Sequence, residues 1–355
     1  MPTPANAPLK RLDQKLAAIR ADPSGCRDFI LADAKDADMA FGLTAPGPDR
    51  KNRRQWPYGE SVGCWKSLED YRAQIRAVIA QDLVDIMLLS ASNVEQIVIK
   101  EGCLKHSAIT PAARANDTTD IWAVRGGSYP AQASRAFRTA TLEHIKYGRI
   151  DADCREPHVG ADLGLYSITF TNDLDWDYRA LADFRDFRLE AERKGFRYFL
   201  EVFNPNVDPG IPSKEVGAFI NDHIVRALAG VTERGRPLFL KVPYNGPQPL
   251  EELVAYDAQL VVGIMGGSAG TTFDAFSLIH EAKKYGARAA LFGRKINLSE
   301  HPLTFIEMLR RIIDGQLSPT EAVKAYHGVL QCLKIKPLRS LQQDLQPTRQ
   351  TMRYG

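Results

Sequence analysis

A chain of 355 residues that is 44% hydrophobic and 25% charged has the make-up of an ordinary globular protein. A formal net charge of +3 gives no reason to expect nucleic acid or an anionic membrane as a partner. No apolar run approaches the ~20 residues that span a bilayer, and the N-terminus lacks the apolar segment of a secretion signal. The five cysteines are scattered, odd in number and without a CxxC pair, which fits reduced thiols in the cytoplasm and not a disulfide framework. The seven histidines form no close-spaced pair, so neither a metal nor another cofactor is expected.

In chain order, residues 1–25 read as an N-terminal extension with a short helix over 9–20. Strand 1 is predicted over 28–33. A long connection over 34–67 follows and carries the basic cluster Arg50, Lys51, Arg53 and Arg54. A helix over 68–80 and strand 2 over 84–89 come next. The third unit is a helix over 93–101 and a strand somewhere within 108–124, followed by a helix over 132–147. Strand 4 covers 164–170, and the helix over 178–194 places Leu181, Phe184 and Phe187 at helical spacing. Strand 5 covers 197–203, a helix 214–229, strand 6 237–244 and a further helix 249–257. Strands 7 and 8 start at Val261 and Ala287, with a helix over 273–285 between them. A helix pair over 303–314 and 318–330 closes the run, with Ser318 as N-cap and Pro319 at the first helical position. The Gln- and Arg-rich tail 336–355 reads as disordered or as an oligomer arm, and a homo-oligomer is expected.

Strands alternating with helices imply a parallel sheet. About eight such units imply an α/β fold closed into a single (β/α)8 TIM barrel over residues 26–335. An open doubly wound sheet would carry its Gly-rich turn after the first strand; here such turns follow the last two.

Strand 6, Pro237-Leu238-Phe239-Leu240-Lys241-Val242-Pro243-Tyr244, is apolar except for one lysine. Near-continuous apolar character marks a parallel strand covered on both faces, where a lysine is unusual. Burial disfavours the charged form of an amine, and a neutral amine can attack a carbonyl and form a Schiff base. Lys241 is therefore the candidate nucleophile; the plain alternative is a lysine that snorkels to solvent or pairs with a carboxylate. Downstream, Met265-Gly266-Gly267-Ser268 and Phe292-Gly293-Arg294 end two consecutive strands. In eight-fold barrels the loops after the last two strands commonly hold phosphate. Gly266, Gly267, Ser268, Gly293 and Arg294 are thus the candidate phosphate ligands, against the alternative of two ordinary βα turns.

Side chains alternate along a strand. With Lys241 pointing into the barrel, the same logic groups Phe199, Glu201 and Phe203 on one face of strand 5, and Phe29, Leu31 and Asp33 on one face of strand 1. Asp33, Glu201 and Lys241 then meet near the C-terminal strand ends, where barrel enzymes carry their chemistry. A carboxylate beside Lys241 can shuttle protons during imine formation. Asp33 as a turn residue and Glu201 as a simple ion-pair partner are the alternatives. The basic loop Arg50–Arg54 rises on the same face and reads either as a second anion site or as a solvated loop.

Lys-Val-Pro-Tyr-Asn-Gly at 241–246, Phe199-Leu200-Glu201, Met265-Gly266-Gly267-Ser268 and Phe292-Gly293-Arg294 together resemble the metal-independent class I (Schiff-base) aldolases. The branches concerned are the deoxyribose-phosphate, tagatose-bisphosphate and archaeal-type fructose-bisphosphate aldolases. The resemblance spans most of 27–315, and Asp33 matches the strand-1 aspartate of that group. Strand 4 departs from it: Ser167 falls near the lysine of the tagatose-bisphosphate branch. The tyrosine acid/base of the archaeal branch aligns near Thr169, with Tyr166 three residues earlier. The resemblance implies a divergent aldolase that acts on a phosphorylated small-molecule substrate through Lys241, with Glu201 and Asp33 moving protons and Tyr166 or Thr169 as the strand-4 acid/base. Thiolase-like acyl transfer on a phosphorylated diketone would use the same lysine, and a non-catalytic phosphosugar-binding protein would bind without forming an imine.

Overall fold

The computed structural model describes residues 9–49, 65–153, 156–267 and 270–348. Arg50, Lys51, Arg53, Arg54 and Ser268 lie outside them. Eight parallel strands close into a barrel: β1 Ile30–Lys35, β2 Ile86–Leu89, β3 Thr110–Arg114, β4 Leu163–Thr169, β5 Arg197–Phe203, β6 Leu240–Val242, β7 Val262–Met265 and β8 Ala289–Phe292. Each strand pairs with its sequence neighbours, and β8 returns to β1. This is the (β/α)8 barrel expected from the sequence. Among the described residues no helix is long and apolar enough to cross a membrane.

Two apolar layers hold the barrel. Inward-facing residues such as Ile30, Ala32, Ile86, Leu163, Phe199 and Phe239 fill its interior. Outward-facing residues such as Leu31, Tyr166, Leu200 and Ile264 pack under the helices. The two sets alternate along each strand, as the pleat demands.

The N-terminal helix Arg11–Ala21 closes the bottom of the barrel. Leu12, Leu16 and Ile19 join the interior cluster. Polar contacts to strand starts fix the helix: Lys10 Nζ donates to the carbonyls of Leu104, Ser107 and Ile109 at 3.1, 2.7 and 3.0 Å, and Arg20 reaches the Leu238 carbonyl at 2.8 Å. Buried Asp85 is the hub of this end. It accepts from Lys15 Nζ at 2.8 Å, Arg310 Nη2 at 3.0 Å and the Leu31 amide at 2.8 Å, and Arg11 Nε stands 3.3 Å away. The floor is thus sealed, and the opposite, C-terminal end carries the open cavity.

Several elements differ from expectation. β1 starts and ends two residues later than predicted, and its alternation runs opposite to expectation: Ile30, Ala32 and Ala34 face inward and Asp33 outward. The helix predicted over 93–101 is a turn, Ala91–Asn93, running into a π-helix, Val94–Lys100. In place of a helix over 132–147 there is a strand, Ala136–Phe137, antiparallel to Asp117–Thr118, and then the short helix Leu142–Tyr147. Thr141 caps that helix and so delays its start. The C-terminal segment is ordered up to Thr348. Its helix Leu341–Asp344 docks on the chain's own barrel, where Asp344 accepts from the Thr272 amide at 2.8 Å and pairs with His327 at 3.0 Å.

Asp85→Ala is expected to lower unfolding stability by about 3–5 kcal/mol, because it removes a buried carboxylate that serves three partly buried cations and the Leu31 amide. Urea denaturation of the two proteins measures this. A loss under about 1 kcal/mol, the range of a surface ion pair, would show that the hub does not hold the barrel floor.

Candidate active site

Strand register places the central residues on one level. Ser167 of β4 is opposite Glu201 of β5, and Glu201 is opposite Lys241 of β6. All three face inward. Lys241 Nζ pairs directly with Glu201 Oε1. The other oxygen, Oε2, accepts from Ser167 Oγ at 2.6 Å and lies 3.6 Å from Arg114 Nη2. Arg114, at the end of β3, donates from Nε to Asp36 Oδ2 at 2.6 Å and from Nη1 to Ser167 Oγ at 3.1 Å. Burial works against the charge of Arg114, but the carboxylates of Asp36, Glu201 and Asp117 outweigh it and raise its pKa above the ordinary guanidinium value. Two residues below Glu201 and Lys241 on their strands, the rings of Phe199 and Phe239 stack with centroids 4.6 Å apart. They form an apolar floor under the ion pair. Asn116 extends the β3–β4 ladder past the end of β3: its amide donates to the Ser167 carbonyl at 2.9 Å, and its carbonyl oxygen accepts from the Ser167 N–H at 2.6 Å. That clamp fixes Ser167.

Above this network lies a cavity of about 340 Å³. Asp36, Arg114, Glu201 and Lys241 form its base, with Gly266, Gly267, Gly293 and Arg294 on one wall and Ile121, Ala123, Pro130 and Phe203 on another. Gly267 holds φ at +59°, a left-handed conformation that favours glycine. At Gly293 a Cβ would come within 2.7 Å of the Ala34 carbonyl oxygen, so β8 can approach β1 here only without a side chain. Arg294 is exposed at the rim, 5.5 Å from the centroid of the Phe41 ring. Its guanidinium makes no hydrogen bond or ion pair among the described residues, which leaves its donors available to a ligand.

Six of the residues singled out in the sequence line this one cavity: Lys241, Glu201, Gly266, Gly267, Gly293 and Arg294. Thr169 faces inward but stands behind Asp120, to which its hydroxyl donates at 2.9 Å. Asp33 and Tyr166 are elsewhere. β1 alternates with Ala32 and Ala34 inside, so Asp33 and Lys35 project to the outer face. There Asp33 Oδ2 is 3.3 Å from Lys35 Nζ, both side chains are fully buried, and Lys35 also reaches Asn297 Oδ1. Burial pushes the Asp33 carboxyl above its usual pKa and the Lys35 amine below its own, each partly offset by the other. Tyr166 alternates with inward Leu165 and Ser167 and so packs outward, stacked on Phe187 at 4.3 Å.

Sequence reasoning missed Asp36, Arg114 and Asp120. Asp36 continues the inward series Ala32, Ala34 and was within reach of the period-two pattern once β1 extends to Lys35. Arg114 ends a strand, Thr-Pro-Ala-Ala-Arg, with little strand character. Asp120 lies on the loop after β3, where no periodicity points to it. Among the described residues no group of three or more His, Cys, Asp or Glu side chains is arranged to hold a metal ion.

No protein-family model matches the chain. Among curated proteins, 2-amino-3,7-dideoxy-D-threo-hept-6-ulosonate synthase 1 of Archaeoglobus fulgidus is 34% identical over 89 residues, which are 25% of this chain and 33% of that protein. The match thus spans about one third of the relative. Among solved structures, the fructose-bisphosphate aldolase of Slackia heliotrinireducens superposes with a TM-score of 0.60 at 13% identity, covering 93% of this chain and 94% of its own. An archaeal fructose 1,6-bisphosphate aldolase gives 0.57 at 13%, covering 86% and 100%. Another, with its catalytic lysine bound to the carbinolamine intermediate of the substrate, gives 0.56 at 14%, covering 85% and 99%. The resemblance to Schiff-base aldolases read in the sequence holds at the level of the fold, at the low identity of a divergent member.

The two buried strand lysines should differ in reactivity. Pyridoxal phosphate followed by borohydride is expected to modify Lys241, which lines the cavity, and to leave the sealed Lys35 unmodified. Peptide mass mapping reads the result. Modification of Lys35 in the folded protein would reverse the facing assigned to β1.

Proposed function

We propose that the protein is a metal-independent class I aldolase that forms or cleaves a carbon–carbon bond in a phosphorylated sugar or sugar-acid derivative through an imine on Lys241. The Lys241–Glu201 pair at the base of the cavity carries this reading. An ammonium has no lone pair, and Glu201 is placed to take its proton. The freed amine then attacks the ketone carbon of the substrate, and a proton passes from the nitrogen to the carbonyl oxygen to give a neutral carbinolamine. Glu201 returns a proton to that hydroxyl, water leaves, and the iminium remains.

The iminium is the electron sink. A base removes the proton of the hydroxyl on the far carbon of the bond to be broken, the carbon β to the iminium. The electrons of the carbon–carbon bond move into the iminium, the aldehyde departs and an enamine is left. Protonation of the enamine and attack of water on the resulting iminium release the ketone and restore Lys241. Asp36 is the better placed base. Asp120 already accepts from Thr169 Oγ1 and Ser134 Oγ, each at 2.9 Å. Asp36 holds Arg114 through one oxygen and lines the cavity. Gly266, Gly267, Ser268, Gly293 and Arg294 serve the phosphate. The aldolases of similar fold act on a phosphorylated sugar, which supports this assignment.

Borohydride reduction in the presence of dihydroxyacetone phosphate is expected to add the mass of the reduced imine to the peptide containing Lys241. The yield should be unchanged by EDTA, because the imine takes the place of a metal as electron sink. An adduct on another lysine, or trapping that is lost in EDTA and restored by zinc, would overturn the proposal.

Arg294→Ala should raise the KM for a phosphorylated substrate by about one to two orders of magnitude. A charge-assisted hydrogen bond contributes roughly 1.5–3 kcal/mol, and ~1.4 kcal/mol is tenfold. A dephosphorylated analogue should be nearly indifferent to the substitution. Equal loss for both would assign Arg294 to holding the barrel mouth and not to reading phosphate.

A further inference from the structure

We infer that Arg114 is a positioning residue for this chemistry: its guanidinium holds the Asp36 and Glu201 carboxylates in fixed places, so that Glu201 stays aimed at Lys241. The inference rests on the aldolase reading and adds a residue to it.

The Nε and Nη1 donors of Arg114 are taken by protein groups, and Nη2 faces Glu201 as an ion pair. Nε is bonded to Asp36 at 2.6 Å and Nη1 to Ser167 at 3.1 Å, while Nη2 is 3.6 Å from Glu201. The side chain is buried, so water does not compete for these contacts. Arg114 is therefore less suited to seize a substrate anion than Arg294, which is exposed and makes no hydrogen bond or ion pair among the described residues. The hydroxyl between them has only one possible direction. Arginine can only donate and an ionised carboxylate can only accept. Ser167 must accept from Arg114 and donate to Glu201, so the chain Arg114 to Ser167 to Glu201 is polarised one way.

The charges lead to the same role. Asp36 and Glu201 both face the guanidinium, which offsets the repulsion between two like charges in a dry site. Without it, Glu201 would lose the cation beside its second oxygen and turn from Lys241. The place on β4 that the resemblance gives to a lysine is taken here by Ser167, which brings no charge of its own. Arg114, one strand further round, supplies the cation.

The test uses full-length wild type, Arg114→Met, Glu201→Gln and the double variant, with Arg114→Lys as a second probe should the methionine variant not fold. Imine formation is followed by cyanoborohydride trapping against dihydroxyacetone phosphate concentration. Arg114→Met should slow trapping at saturation by about 10- to 100-fold, the worth of a charge-assisted contact, and leave the half-saturating concentration within about threefold. Arg114→Lys, which keeps the charge but loses the fork, should fall between. In the Glu201→Gln background the Arg114 substitution should cost no more than about threefold, since the effect runs through Glu201. Losses that multiply in the double variant, or that fall on half-saturation instead of rate, would overturn the inference. If wild type does not trap dihydroxyacetone phosphate, it is the aldolase reading that fails. The labelling rate of Lys241 by pyridoxal phosphate in the same variants, which needs only a reactive amine, then decides the role of Arg114 by the same pattern.

Discussion

Lys241 and Glu201 stand at the same level on adjacent parallel strands, inside a barrel whose next layer down is a stacked pair of phenylalanines. Placing two charges there has a large desolvation cost, and their mutual attraction offsets it only when the remaining oxygens and protons are also satisfied. The surroundings of the pair meet that condition. Ser167 serves the second oxygen of Glu201, Asn116 fixes the backbone of Ser167, and Arg114 ties the group to Asp36 across the barrel. Five strands or strand ends thus contribute to one polar network, and its open side faces the cavity. The same dryness that makes the pair costly strengthens the electrostatic interactions within it.

Legibility of the fold followed burial on both faces. β5 was read at its observed bounds because Arg-Tyr-Phe-Leu-Glu-Val-Phe is an apolar run, and Lys241 stood out against a run of the same kind. β3 was not readable, because two alanines and a proline pack against close neighbours and give no periodic signal. The site followed a similar division. The glycine turns and Lys241 could be found, since each is an exception within a regular segment. Arg114 and Asp120 could not, because their meaning lies in partners 78 and 49 positions away in sequence, Asp36 and Thr169.

The first strand shows how small an error changes chemistry. Asp33 and Asp36 are three residues apart, an odd step, and so fall on opposite faces of the barrel wall. Asp33 is sealed on the outer face, and Asp36, one residue past the end of β1 on the inner face, lines the cavity in its stead. The sequence pattern was misleading for a physical reason. Asp33 and Lys35 are charged residues on an apolar outer face, tolerated because they neutralise each other and meet Asn297 from the helix Arg294–Leu298. That contact joins β1 to the segment that carries Arg294, so the outer pair braces the wall on which the rim arginine stands.

The C-terminal segment braces the neighbouring wall. Asp344 takes the Thr272 amide, and Thr348 donates to Asp274 from its N–H at 2.9 Å and from its hydroxyl at 2.7 Å. Lys295 donates to the Gly270 carbonyl at 2.7 Å, and burial pushes its amine down to about 8. These contacts gather the start of the helix Thr272–Lys284, the loop that precedes it and the helix after β8 into one unit. Gly266 and Gly267 have no side chains with which to hold their own backbone. The tail and Lys295 hold the backbone on the far side of these glycines. The barrel floor, the outer charge pair and the tail all act on the backbone that frames the cavity, while the groups inside it remain free to react.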